Sequence, residues 1–62
     1  MKKAEIISIM RECKEVIEDR CEESSPYFYD DIRNEEIEWM CEVYPDIDSL
    51  TADEFQSFWK QA

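Results

Sequence analysis

The chain has 62 residues, with seventeen acids against seven bases, no histidine and no glycine, for a formal net charge of −10. A chain this short buries only about 60% of its unfolded surface, enough for one small core but not for the walls of a water-excluding catalytic cleft. The charge repels nucleic-acid phosphates and anionic membrane surfaces, while a hydrophobic fraction of 44% argues against disorder.

The first predicted element is a helix over residues 3–21. Ile6, Ile9, Met10, Cys13, Val16, Ile17 and Cys21 fall on one broad face, with Arg11, Glu12, Lys14, Glu15, Glu18 and Asp19 mostly opposite. Arg11–Glu15 and Lys14–Glu18 are opposite charges at i,i+4, each contributing a few tenths of a kcal/mol, so this helix is expected to neutralise itself. A break follows at Glu22-Glu23-Ser24-Ser25-Pro26. Ser25 before Pro26 also fits an N-cap with proline at the first helical position. Tyr27, Phe28 and Tyr29 then form either a single helical turn or an aromatic loop.

The second predicted helix covers residues 31–44, with Asp30 as its cap. Ile37, Met40, Cys41 and Tyr44 make the i, i+3, i+4, i+7 pattern of a buried stripe, which Ile32, Trp39 and Val43 widen. Pro45 ends it, because a residue before proline is pushed out of the helical region. The third predicted helix covers residues 51–61. Thr51 and Glu54 form a T-x-x-E capping box, flanked by Leu50 and Phe55 as a hydrophobic staple. Phe55, Phe58, Trp59 and Ala62 share one of its faces. Period-two strand patterns are absent, so the expected fold is all-α, a compact three-helix single domain spanning residues 1–62.

Charge is segregated along this frame. Residues 1–20 hold five acids and five bases, whereas residues 21–62 hold twelve acids and only Arg33 and Lys60 as bases. Within the second helix, Asp31, Glu35, Glu38 and Glu42 recur at spacings of 4, 3 and 4, which places all four on one narrow stripe opposite the apolar one. Neighbouring carboxylates on such a stripe sit about 5–6 Å apart. That is close to the roughly 6–7 Å expected between phosphates along one nucleic-acid strand from its charge density. Like charges at i,i+4 cost roughly 0.2–0.5 kcal/mol per pair, so the row is an expense to the helix. Asp46, Asp48, Asp53 and Glu54 extend it. The alternative is a solvated face that keeps the protein soluble. Tyr27, Tyr29 and Trp39 are the aromatic anchors nearest the acids, since Tyr and Trp are enriched at binding hot spots. By helical spacing, Trp39, Tyr44, Phe55, Phe58 and Trp59 read as core more than as interface.

Other chemistries fit poorly. Three cysteines are an odd number, and Cys13 and Cys21 would lie about 12 Å apart on one helix, too far for a disulfide. They read as free thiols of a reducing compartment. With no CxxC pair and no histidine there is little to hold zinc or to activate a nucleophile. Asp46-x-Asp48 begins like a calcium loop, but Thr51 and Ser57 stand where glycine and glutamate belong. Asp48-Ser49-Leu50 resembles the phosphopantetheine triplet of acyl carrier proteins over three residues only. Twelve residues follow Leu50, too few for the rest of that fold, and Ser49 suits the turn instead. An exposed carboxylate row does not separate pKa values as acid–base catalysis requires.

The expectation is therefore a non-enzymatic protein without cofactor or metal. It would dock Asp31, Glu35, Glu38, Glu42, Asp46 and Asp48, with Tyr27, Tyr29 or Trp39 as anchor, onto a basic groove of a nucleic-acid-handling protein. Two alternatives are a small self-associating structural or regulatory protein (a homodimer, for example) and an antitoxin-like partner of a basic toxin. The apolar run after Met1-Lys2-Lys3 is too short for a secretion signal, and no stretch is long enough to span a membrane. The expected place is the cytoplasm. In size and charge, though in no motif, the chain resembles small acidic inhibitors of phages and mobile elements, DNA-mimic and anti-CRISPR proteins among them. That resemblance implies an inhibitor acting in a host cytoplasm.

Overall fold

The computed structural model describes residues 1–23 and 28–62. Helix α1 (Lys3–Glu23) has 21 residues, which at 1.5 Å per residue gives about 31 Å. It nearly sets the long dimension of a molecule measuring 34 × 20 × 17 Å. Helix α2 (Tyr29–Val43), the short helix α3 (Pro45–Asp48) and helix α4 (Ala52–Gln61) follow. No strand occurs among the described residues. The fold is all-α, with three long helices as the periodicity predicts. The fourth, α3, was expected as part of a loop.

Each boundary has a local cause. Helix α2 begins at Tyr29, so Tyr29 belongs to the helix and Phe28 occupies the cap without a side-chain hydrogen bond. Asp30 is thus not the cap; it lies in the first turn with Asp31, where carboxylates favour the positive end of the helix dipole. Ser25, Pro26 and Tyr27 lie outside the described residues. Tyr44 is extended at φ −121°, ψ 87°, as the residue before a proline prefers, and α2 stops there. Pro45 does more than end α2, because its missing N–H and fixed φ suit the first position of α3. The Ser49 hydroxyl donates to the Asp46 carbonyl at 2.9 Å and fastens the end of that turn.

The predicted capping box of α4 is present in full. Thr51 Oγ1 accepts from the Glu54 N–H at 3.2 Å, and Glu54 Oε1 accepts from the Thr51 N–H at 3.1 Å. Leu50 and Phe55, the expected staple, are both half-buried and line one groove.

The core consists of Ile6, Met10, Cys13 and Ile17 of α1, Ile32 and Met40 of α2, and Ile47 of α3. Met10 is fully covered, and Met40 and Ile47 are 1% exposed. Helix α4 contributes no buried residue. Its Phe55, Phe58 and Trp59 are half-buried lids laid over the core, with Phe55 and Trp59 stacked at 5.7 Å between ring centroids. Two members of the predicted apolar stripe of α2 are not core at all: Trp39 is 59% exposed and Val43 is 47% exposed. Val16 of α1 is likewise 43% exposed. Val16 and Trp39 line one groove where α1 meets α2. A chain of this size has too few side chains to cover both flanks of the helix pair, and α4 covers the other flank.

Candidate functional site

The acid row begins as a consequence of helical spacing and ends as a matter of what lies nearby. Asp31, Glu35, Glu38 and Glu42 are all exposed on α2, on the side turned away from Met40. Glu38 and Glu42, with Asp48 from α3, border one shallow depression of about 360 Å³ that has Cys41 at its floor. The short turn of α3 therefore brings Asp48 beside two acids of the preceding helix. Asp31 lies two turns earlier on the same stripe.

Other predicted members are diverted. Glu35 Oε2 accepts from Arg20 Nη2 at 3.1 Å, and Glu36 Oε1 accepts from Nη1 of the same guanidinium at 2.7 Å. Asp46 accepts from the Met1 amino group at 3.0 Å. Tyr29 borders a depression on the α4 side with Lys14, Ile17, Glu18 and Trp59, apart from the acid row. Trp39 lies on the flank of α2 that adjoins α1, next to the row rather than within it. Tyr27 is outside the described residues. The structure thus groups Glu38, Glu42 and Asp48, aligns Asp31 with them, and draws Glu35 and Asp46 into ion pairs.

The bases explain why the row stays uncompensated. The expected intrahelical pairs Arg11–Glu15 and Lys14–Glu18 are not among the ion pairs of the described residues. Lys14 reaches across to α4, where its ammonium donates to the Trp59 carbonyl and lies 5.1 Å from the Trp59 ring centroid. Lys3 sits 5.7 Å from the Phe58 ring and Arg33 5.8 Å from the Trp59 ring. Ring faces attract cations through their quadrupole. An i,i+4 pair in open solvent is worth only tenths of a kcal/mol, so half-buried aromatic partners win. Four of the seven bases are thereby held on rings or on Glu35 and Glu36. Among the described residues, none is within ion-pair distance of Asp31, Glu38, Glu42 or Asp48.

Beside the row runs an apolar groove that periodicity does not reveal. It lies between α1 and α2, holds about 200 Å³, and is lined by Ile9, Val16, Trp39 and Tyr44, with Glu12 and Glu36 at its edges. Past Val16 and Trp39 it continues toward Arg20 and Glu35. Sequence reasoning placed Val16, Trp39 and Val43 in the core, with Trp39 also as a candidate anchor, and did not single out Glu36. The available signal was the width of the apolar stripes: seven positions on the first helix and seven on the second exceed what a third short helix covers.

The cysteines are free. Burial pushes the Cys13 thiol above its ordinary pKa, with Glu36 and Cys41 adding to the effect and Arg33 opposing it. Burial, then Asp48, raises Cys41. Neutral thiols of this kind are poor nucleophiles. The two carboxylate hydrogen bonds, to Glu36 and then Glu35, raise Arg20. Among the described residues no three His, Cys, Asp or Glu side chains are grouped to hold a metal ion, and no helix is long and apolar enough to cross a membrane. Comparison with protein-family models, with curated proteins and with solved structures yields no match.

Proposed function

We propose that the protein is a non-enzymatic acidic binding protein. It docks the carboxylate ridge of Asp31, Glu38, Glu42 and Asp48 on a basic groove of a nucleic-acid-handling protein, in place of that protein's nucleic acid, and so inhibits it. The observation that carries this is the fate of the bases. Lys3, Lys14 and Arg33 are held against rings and Arg20 against Glu35 and Glu36, which leaves the ridge anionic and open. An acidic face that served solubility alone gains nothing from having its neutralising bases held elsewhere. Paired i,i+4 acids such as Glu38 and Glu42 cost the helix roughly 0.2–0.5 kcal/mol, and a cationic partner would recover that cost. The fit to a phage or mobile-element inhibitor of a host nuclease system, acting in the host cytoplasm, follows from the same features of size and charge.

The test compares the protein with the triple variant Glu38→Gln/Glu42→Gln/Asp48→Asn, after circular dichroism shows equal helicity. Each is immobilised and exposed to a lysate of the cells in which the protein acts. Captured proteins are then challenged with duplex DNA, single-stranded RNA and raised salt. The expected result is that nucleic-acid-handling proteins are retained by the native protein alone and released by nucleic acid and by 1 M salt, where the Debye length falls to about 3 Å. Retention of the same proteins by the folded triple variant, or their indifference to nucleic acid, overturns the proposal.

A further inference from the structure

We infer that the α1–α2 groove seats the apolar face of a cationic amphipathic helix, supplied by the same partner that meets the ridge. This rests on the proposal that the partner is cationic, and it adds what shape the partner's contact takes.

Two large apolar side chains, Trp39 and Val16, are 59% and 43% exposed and line one groove. Single exposed apolar side chains are ordinary, but a contiguous set around a groove marks a surface that something covers. The groove follows the seam of two packed helices, with lining from both. Ile9 and Val16 stand seven residues apart on α1, about 10 Å along the axis. That matches the interval between anchors at i and i+7 on a helix laid into a groove.

Charge selects the occupant. Glu12 and Glu36 edge the groove, and Glu35, Glu38 and Glu42 neighbour Trp39 on the outer face of α2. Arg20, the base at the far end, is shared between Glu35 and Glu36, so that end carries two carboxylates for one guanidinium. A second copy of this chain would bring another −10 against this rim, and nucleic acid would bring phosphates. A helix with one leucine-like stripe between rows of Lys and Arg satisfies both demands: its stripe covers Trp39 and Val16, and its basic flank reaches the ridge.

The test uses the full chain carrying Trp59→Phe, which keeps a ring under Lys14 and leaves Trp39 the only tryptophan. The probes are a dye-labelled helical leucine–lysine peptide with one apolar face, and an oligolysine of equal charge. Affinities are read by anisotropy at low salt. The leucine–lysine peptide should bind about tenfold or more tightly than oligolysine, the gain expected from burying one large apolar side chain, and should shift Trp39 emission to the blue. Oligolysine should bind without that shift. Val16→Ser and Trp39→Ala, both at exposed positions, should reduce the leucine–lysine peptide to the oligolysine level. The ridge variant Glu38→Gln/Glu42→Gln/Asp48→Asn should weaken both peptides alike.

Equal affinities for the two peptides, or a preference that survives Val16→Ser and Trp39→Ala, overturns the groove assignment and leaves the cationic partner standing. Failure of both peptides to bind overturns both. Self-association of the protein alone, with Trp39 emission already shifted to the blue, assigns the groove to a second copy and overturns the inference.

Discussion

The two sides of α2 treat charge in opposite ways. On the α4 side, Lys3, Lys14 and Arg33 lie against Phe58 and Trp59, so cations are absorbed by half-buried rings. On the outer side, Glu38, Glu42 and Asp48 share a depression and form no ion pair among the described residues, although Arg33 lines a neighbouring groove with Asp48. The contrast shows that an acidic surface can be made by removing bases as well as by adding acids. The first twenty residues are balanced in composition, yet Lys3, Lys14 and Arg20 are engaged with rings or with Glu35 and Glu36 and not with the ridge.

That contrast can be broken most severely from beneath the ridge. Ile47 is the only buried residue of α3, and α3 carries Asp48. Ile47→Ala should cost about 2–5 kcal/mol in urea unfolding, as for other fully buried aliphatic deletions, and should separate Asp48 from Glu38 and Glu42. A cost near zero would mean that α3 is not held by its core contact.

The ring side can be loosened without touching the ridge. Thr51→Ala removes one half of the capping box of α4 and should cost about 1 kcal/mol, with ridge-dependent binding unchanged. Lys14→Met keeps the aliphatic stem but removes the cation over Trp59. It should cost roughly 0.5–1 kcal/mol, and a double-mutant cycle with Trp59→Leu should recover most of that as coupling. If Lys14 and Trp59 are additive, the bases are not held by the rings in the way the geometry indicates.

Neutralising the ridge should have the opposite sign. Glu42→Gln relieves its i,i+4 repulsion with Glu38 and should stabilise the fold by roughly 0.2–0.5 kcal/mol at low ionic strength, the gain shrinking as salt is raised. A loss of stability would place Glu42 in a structural role instead.

The smallest effect is alkaline. Folding raises the thiol pKa values of Cys13 and Cys41 above 9.0, so the folded state holds these protons more firmly than the unfolded one. Their contribution is full below about pH 9 and is lost as pH rises through the folded-state values. The double variant Cys13→Ala/Cys41→Ala should show a flatter stability profile on crossing pH 9, whatever its overall offset; an unchanged slope would remove the thiols from the account.

Sequence alone was sufficient for much of what is local, though not for the cap of α2, the turn of α3 or the i,i+4 pairs of α1. The three long helices, the stop before Pro45, the Thr51–Glu54 capping box and the row of Asp31, Glu35, Glu38 and Glu42 all follow from contacts within four or five residues, whose geometry the helix itself supplies. Tertiary structure alone decided which side chains the helices cover and whom each charge meets. Val16, Trp39 and Val43 share the periodicity of core residues but stay exposed, Val16 and Trp39 on the flank that α4 does not cover. Lys14 has an acid one turn away yet crosses to Trp59, because a half-buried ring and a carbonyl offer more to an ammonium than a carboxylate in water does. Glu35 matches its neighbours in the row, but Arg20 claims it. Burial and charge pairing depend on what arrives from distant parts of the chain, and spacing along one helix carries no record of that.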